Sequence, residues 1–491
     1  MKKVIFGVLA LVVGLAVIAV GRTLVLFAGA SDAATAQAKP VTPRQFEAGD
    51  APEHLAEAIS YPTISWGGAQ PRDDEAFDGF AEFLTRAYPN ANRVMERRVV
   101  NGHSLVYRWK GADSSKGPIG FLAHIDVVPV EPGTEDRWTH PPFEGVVADG
   151  KVWGRGALDD KGTLISIMEA AEHLAASGFT PSRDVYFLFG HDEEVSGKAG
   201  AGEIRKLLDA EGVHLAFTLD EGSGIVQGVI PGAKRPVALI STAEKGFVSL
   251  KFSANAEGGH SSAPSPDTAV SLVARAVVAV EDHPYPLEID GETAKFLHAL
   301  ATELPFSKRL ALTNLWLFGP LVKSSLAKSP LTAAALHTTT APTMIAGGTK
   351  ENVLPQHAEA VVNYRIHPRD SVKSVTERAT RLVDDKRIRI EPLNVGNEPA
   401  PQSSTTSEGY KDIAAATAVI FGPISVAPSL TIAGTDSQHY IGAADGNYRF
   451  TPFIFETDDL ERIHGTDERV SVENLARAIA WFEALITNSA G

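Results

Sequence analysis

The sequence contains no cysteine. That excludes a disulfide framework, a thiolate metal centre and a cysteine nucleophile. Any metal must be held by histidine and carboxylate side chains. The absence leaves the compartment open, because exported proteins can also lack disulfides. Positive charge is scarce too: 45 lysines and arginines face 60 aspartates and glutamates, for a net charge of −15. A nucleic-acid binder needs a basic footprint, so no nucleic-acid partner is expected. There is no internal repeat and no long low-complexity tract. With 44% hydrophobic and 21% charged residues the chain is of ordinary globular composition. Its 491 residues suffice for about two or three domains around a large core.

The N-terminus does carry a long hydrophobic run. Lys2 and Lys3 precede an apolar stretch from Val4 to Gly21 that ends at Arg22, and a second covers Thr23 to Ala30. A continuous apolar run has no polar face, which argues against a core helix. The first stretch, about 18 residues, is long for a cleavable signal and just enough to cross a bilayer. Residues 1–30 read as an uncleaved transmembrane helix. The basic start would stay cytoplasmic and the remainder would lie outside, periplasmic or extracellular. The rival reading is a signal peptide cut between Ala28 and Ala38. Residues 31–50, rich in Ala, Ser and Pro, read as a linker.

Beyond it, strand-like and helix-like patterns alternate, which predicts an α/β fold. Ile119 to Ile125, Val185 to Phe189 and Leu215 to Leu219 are apolar runs of buried-strand type, and Thr163 to Ser177 has helical spacing. The pattern then changes. Val248 to Ala254 alternates as a strand, Thr268 to Glu281 reads as a helix, Ala358 to Ile366 as a strand and Val372 to Asp384 as a helix. This is a compact unit inserted into a larger domain, with a helical segment at about 285–340 inside it. The expected division is a catalytic domain at 51–243 and 393–491, interrupted by an α+β lid at 244–392. The closing part holds Gly409 to Ile420, Ser429 to Ala433, a strand near Phe450 to Phe455 and a helix from Val472 to Ile486.

Three apolar runs lead into metal-ligand side chains: Phe121-Leu122-Ala123-His124-Ile125-Asp126, Phe187-Leu188-Phe189-Gly190-His191-Asp192-Glu193-Glu194, and Phe217-Thr218-Leu219-Asp220-Glu221-Gly222. Functional groups gather at the carboxyl ends of strands in an open parallel sheet. The Gly-punctuated loop Gly154-Arg155-Gly156-Ala157-Leu158-Asp159-Asp160-Lys161-Gly162 adds two more carboxylates ahead of a helix. Singly, each has a plainer explanation. A histidine at a strand end is more often a hydrogen-bonded core residue, paired acids are usually solvated, and Asp159-Asp160 would suit a helix cap. Together they differ, because acids directly after apolar runs are costly to bury unless paired or bound to a cation.

These segments, in this order over residues ~50–490, resemble the di-zinc aminoacylase and carboxypeptidase family, and within it the carboxypeptidase S branch. The resemblance implies a zinc-exopeptidase-like catalytic domain with a mostly parallel sheet and an inserted lid. It implies two Zn²⁺ ions: His124, Asp159 and Asp220 on one, Asp159, Glu194 and His464 on the other, with Asp159 bridging. His464 lies in Ile463-His464-Gly465-Thr466-Asp467-Glu468. Histidine nitrogen and carboxylate oxygen suit zinc, and cobalt or manganese fit the same donors. Asp126 would orient His124, and Glu193 would be the general base.

Gly258-Gly259-His260-Ser261-Ser262-Ala263-Pro264 resembles the lid signature, where His260 would stabilise the oxyanion. In dimeric members that histidine reaches the partner subunit's site, which leaves a homodimer open. Asn352, in Thr349-Lys350-Glu351-Asn352-Val353-Leu354-Pro355, and Arg365, in Asn363-Tyr364-Arg365, are the substrate-binding candidates. Arginine grips a carboxylate through two parallel hydrogen bonds. Asp436, in Gly434-Thr435-Asp436-Ser437-Gln438-His439-Tyr440, would line the site. Gln438 stands where a basic residue is common in that branch. The implied activity is cleavage of an amide beside a free carboxylate, with a peptide or an N-acyl amino acid as substrate. The alternatives are a dipeptidase or aminopeptidase of the same fold, or a non-catalytic binding protein.

Overall fold

A computed structural model of the protein describes residues 2–27, 46–67, 70–113, 115–393 and 395–491. Most of the expected linker at 31–50, and the alternative cleavage region at 28–38, lie outside the described residues. The first N-terminal apolar stretch and the second as far as Phe27 form one helix, α1 (Lys2–Phe27), which runs through Arg22 without a break. Within its segment Lys3–Leu26 an 18-residue window has a mean hydropathy of 2.9, and only 6% of that window is buried. By length and composition it can cross a membrane, and a signal sequence has the same character.

Twelve strands build the two main sheets. In chain order the first six are β1 (Met95–Val100), β2 (Ser104–Trp109), β3 (Ile119–His124), β4 (Val185–Gly190), β5 (Phe217–Val226) and β6 (Val237–Glu244). Then follow β7 (Gly246–Asn255), β8 (Thr339–Gly347), β9 (His357–Ile366), β10 (Ile388–Pro392), β11 (Ser425–Thr431) and β12 (Asn447–Phe455).

The larger sheet runs β1-β2-β4-β3-β5-β12-β6-β11. Its centre is parallel: β4 with β3, β3 with β5, and β5 with β12. Both faces of that centre are covered, so β3 and β4 are buried at every residue and read as unbroken apolar runs. The helices α2 (Lys161–Ala176) and Val472–Ala490 supply the cover on one face, where Phe482 meets Phe121 edge-on and Trp481 packs on Phe450. The hairpin β1–β2 is antiparallel and forms an edge. Its first strand, Met-Glu-Arg-Arg-Val-Val, is largely exposed, which is why no apolar run announces it.

The smaller sheet runs β8-β9-β7-β10, all antiparallel. One face carries the helices Ala269–Glu281 and Val372–Val383, which close a separate core over inward-facing residues such as Leu250, Phe252 and Val362. Alternation in β7 is regular, buried then half-buried, as expected of a sheet covered on one side. The helical segment between them forms α3 (Gly291–Leu300), α4 (Phe306–Thr313) and α5 (Leu315–Leu326). In sequence it sits inside the insert. In space Leu297, Leu300 and Val322 pack with Val226, Val237 and Ala427 of the larger sheet.

Candidate active site

The site forms where parallel strands end. His124 closes β3. Its Nε2 lies 3.0 Å from Asp159 Oδ1, and its Nδ1 lies 2.8 Å from the Asp126 carbonyl oxygen and 3.4 Å from Asp126 Oδ1. The second oxygen of Asp159 lies 3.1 Å from His464 Nε2, which is itself 3.3 Å from Glu194 Oε2. Asp159 thus links the two histidines through its two oxygens, the geometry of a bridging carboxylate. His124, Asp159, Glu194 and His464, separated by as much as 340 positions in sequence, share one cluster.

Asp126 is fully buried and does more than orient a ring. Its Oδ1 accepts from the Glu193 amide at 3.1 Å and its Oδ2 from the Glu194 amide at 3.2 Å. One residue therefore fixes both the β3 histidine, chiefly through its carbonyl, and, through its carboxylate, the turn after β4 that presents the two glutamates.

At one position the structure differs from the resemblance. Asp220 is buried, but its Oδ1 accepts from the Glu221 amide at 2.9 Å and its Oδ2 from the Ser437 amide at 2.6 Å. The neighbouring Glu221 reaches the cluster instead, with Oε1 3.8 Å from His124 Nε2. Donor atoms of His124, Glu193 and Glu221 lie within 4.8 Å of one another, as do those of His124, Asp159 and Glu194. The reason is strand geometry. Successive side chains of β5 point to opposite faces, so an Asp-Glu pair delivers one acid to a given face.

Five carboxylates, Asp159, Asp160, Glu193, Glu194 and Glu221, crowd this region. Burial pushes Glu193 well above the ordinary carboxylate range; His124 opposes this, while Asp436, Glu194 and Asp159 add to it. Glu221 is raised in the same way, by burial and then by Asp159 and Asp160. Glu194 Oε1 is buried without a hydrogen-bond partner. Acids packed this closely repel unless a cation neutralises them. The donor set, histidine nitrogen and carboxylate oxygen with an unsatisfied buried oxygen, fits a divalent metal centre.

Two buried ion pairs brace the surrounding loops, and sequence reasoning assigned neither. Arg155 Nη1 donates to Glu468 Oε2 at 2.6 Å, and Arg155 Nη2 donates to the carbonyls of His464 and Gly465 at 3.1 Å each. Glu468 Oε1 accepts from the amides of Leu158 and Asp159. This clip joins the loop of the bridging aspartate to the loop of the late histidine. It also holds His464 at φ +60°, a left-handed backbone that needs such support. Arg449 Nε donates to Glu244 Oε2 at 2.6 Å, and Glu244 accepts from the Thr435 amide and hydroxyl. The available signal was an arginine between two glycines beside paired acids, which reads equally well as a surface residue.

Asp436 is buried, with Oδ1 unpaired, against Gly190 and Gly197. Burial and then Asp220 raise it well above the usual range. Gly197, at φ +65°, leaves room for it: a Cβ there would collide with Asp436 Oδ1.

The lid candidates stand apart. His260 is exposed; its Nδ1 accepts from the Ser262 amide at 3.2 Å, which leaves Nε2 as the outward N–H donor. Asn352 is exposed, and its carbonyl accepts from the Ser261 amide, so both candidates sit on one small antiparallel ladder, Gly259–His260 against Val353–Leu354. Arg365 is exposed on β9 with its guanidinium over the Phe247 ring. Among the described residues no hydrogen bond or ion pair joins these three to the metal-ligand cluster.

The sequence pattern of Peptidase family M20/M25/M40 matches residues 120–488. A probable carboxypeptidase S-like 2 of Dictyostelium discoideum is 38% identical over 441 residues, covering 89% of this chain and 84% of that protein. The N-fatty-acyl-amino acid synthase/hydrolase PM20D1 of Homo sapiens is 36% identical over 442 residues, covering 89% and 87%. Among solved structures, the M20 family metallo-carboxypeptidase Sso-CP2 of Sulfolobus solfataricus superposes with a TM-score of 0.63 at 17% identity, covering 90% of this chain and 99% of that one. These findings make the protein a metal-dependent hydrolase of amide bonds, and the chain belongs to Peptidase family M20/M25/M40.

Proposed function

We propose that this site hydrolyses an amide whose nitrogen belongs to an amino acid with a free carboxylate, either the last residue of a peptide or the head of an N-acyl amino acid, at a pair of zinc ions. The observation that carries the reading is the cluster of His124, Asp159, Glu194 and His464 around one bridging carboxylate, with Glu193 beside it. Glu221 completes the donor set, where the resemblance implied Asp220. Bound there, the two ions would polarise the scissile carbonyl and acidify a water molecule.

The chain's own groups do the rest. Glu193 takes the proton of the attacking water and returns it to the departing amine, and its raised affinity for protons suits both tasks. Asp126 keeps the His124 ring and the Glu193 backbone in register. His260 offers its Nε2 proton to the oxyanion once the lid approaches, from the same chain or across a homodimer. Asn352 and Arg365 bind the substrate's polar end, and Arg365 suits the carboxylate. Asp436 lines the floor of the site. The names of the relatives, a carboxypeptidase and an N-fatty-acyl-amino acid hydrolase, bracket the two substrate types. With α1 as an uncleaved anchor, the catalytic domain faces the periplasm or extracellular space.

A panel of N-blocked dipeptides, free dipeptides and N-acyl amino acids tests this. Turnover of blocked substrates that is abolished by esterifying their carboxylate is expected. Turnover that needs a free amine would assign a dipeptidase or aminopeptidase instead.

A further inference from the structure

Although α1 is largely unburied, it is not free of the enzyme. Near its C-terminal end Thr23 and Ala19 are buried against the helical segment of the insert. The Asn314 Nδ2 donates to the Ala19 carbonyl at 3.1 Å and to Thr23 Oγ1 at 3.0 Å, and the hydroxyls of Thr23 and Thr313 lie 2.8 Å apart. Polar groups that satisfy one another between helices suit the edge of a hydrocarbon layer, where water does not compete. The same Asn314 accepts from Trp316 Nε1 at 3.2 Å. Trp316 is therefore tied to the level at which α1 leaves its apolar span.

Around this point the exposed surface is apolar, and the acid that reaches α5, Glu288, is paired with Lys323. Trp316 is 52% exposed, Leu321 66%, Phe306 48% and Leu331 57%. Their neighbours Leu312 and Val322 face the protein core, so α4 and α5 have one face buried and the other unpartnered. From Leu304 to Lys350 the chain has no aspartate or glutamate, yet it carries Lys308, Arg309, Lys323 and Lys328. In a protein with a net charge of −15 this is a local reversal of sign. Helix α1, with 26 residues at about 1.5 Å each, spans about 39 Å against a hydrocarbon core of about 30 Å. Its contact with Asn314 falls near the C-terminal end of the helix, at the depth where tryptophan collects in membranes.

We propose that α4 and α5 form a second membrane contact: their exposed face, led by Trp316 and Leu321, seats in the interfacial layer of the bilayer that α1 crosses. Apolar side chains enter the headgroup–acyl boundary, and the lysines of this stretch, of which Lys323 is shared with Glu288, add a weaker attraction to anionic headgroups. The occupant is the lipid surface. The proposal rests on α1 as a membrane span, and it goes beyond that reading by fixing the catalytic domain's orientation through the insert.

The lack of cysteine makes the test direct. Three full-length single-cysteine variants, Leu321→Cys, Val12→Cys in α1 and Val395→Cys far along the chain, carry an environment-sensitive fluorophore in vesicles of phosphatidylcholine and phosphatidylserine. All three positions are exposed on the protein. At 321 a blue shift is expected, with quenching by a lipid spin-labelled near the headgroup exceeding that by one labelled deep in the acyl chain. The deep label should quench position 12 most, and position 395 should stay unquenched. Quenching at 12 without quenching at 321 overturns the proposal and leaves the anchor standing. Quenching at neither overturns both. A blue shift at 321 that grows with protein concentration and lacks lipid quenching assigns the face to a second copy of the chain, and also overturns it.

Discussion

The two halves of the site are built in opposite ways. The candidate ligand cluster lies beside the larger sheet, where its groups are held from behind: His124 by the Asp126 carbonyl, the 193–194 turn by the Asp126 carboxylate, and Asp159 and His464 by the Arg155–Glu468 clip. The other candidates, His260, Asn352 and Arg365 on the inserted segment, are exposed. A buried cluster of acids needs preorganised support, since each misplaced carboxylate is costly. Exposed side chains are free to meet a substrate and release it, which agrees with the role proposed for these three. Substitutions of the proposed ligands and of the groups that brace them should therefore disturb metal and stability, whereas those at the proposed base Glu193 and at His260, Asn352 and Arg365 should disturb kinetics alone.

The sharpest break is expected at Glu193. Glu193→Gln should lower turnover by about 10²–10⁴-fold or more while metal content and melting temperature hold, as general-base removal does. Turnover kinetics together with metal analysis would show it, and unchanged turnover would remove Glu193 from the chemistry. Next comes the clip. Arg155→Met leaves Glu468 buried without its partner and should cost about 3–5 kcal/mol. The double variant Arg155→Met/Glu468→Leu should recover part of that in a denaturant titration, although the amides of Leu158 and Asp159 lose their acceptor. An Arg155→Met protein of full stability would mean the clip is not structural.

On the lid, His260→Ala should reduce turnover by roughly 10²-fold, the scale for one oxyanion donor, with no change in melting temperature or metal content. Loss of metal would contradict the division between the halves. The smallest effect is in pH. His367, in the loop after β9, is pushed down to about 4, chiefly by burial, and its Nδ1 accepts from the Arg369 amide, which requires the neutral ring. Above about pH 6.5 the ring is neutral whether folded or unfolded and contributes nothing. As pH falls from about 6.5 towards 4 the unfolded chain takes up a proton that the folded one refuses, so stability is lost. The loss is on the order of 1–2 kcal/mol after solvent screening. His367→Gln should flatten that part of the unfolding curve relative to the parent protein.

Legibility followed the same division. The runs ending at His124 and at Glu193-Glu194 were readable because fully buried parallel strands leave unbroken apolar sequence, and the change to ligand side chains marks their carboxyl ends. That Glu221 and not Asp220 comes within reach of His124 was not readable. It depends on which face of β5 turns toward His124, and β5 continues through both acids to Val226 instead of ending at them. The edge strands β1 and β8 escaped notice, being largely exposed and lacking an apolar run. Arg155 and Glu468 lie 313 positions apart, and nothing local signals that they meet.

The most direct test of the central claim is metal occupancy in a crystal of the full chain, located by anomalous scattering at the zinc edge. Two peaks are predicted, flanking Asp159, one near His124 and the other near His464 and Glu194, with Glu221 and not Asp220 completing the set. A single peak elsewhere, or peaks that leave Asp159 outside their coordination, would contradict the reading.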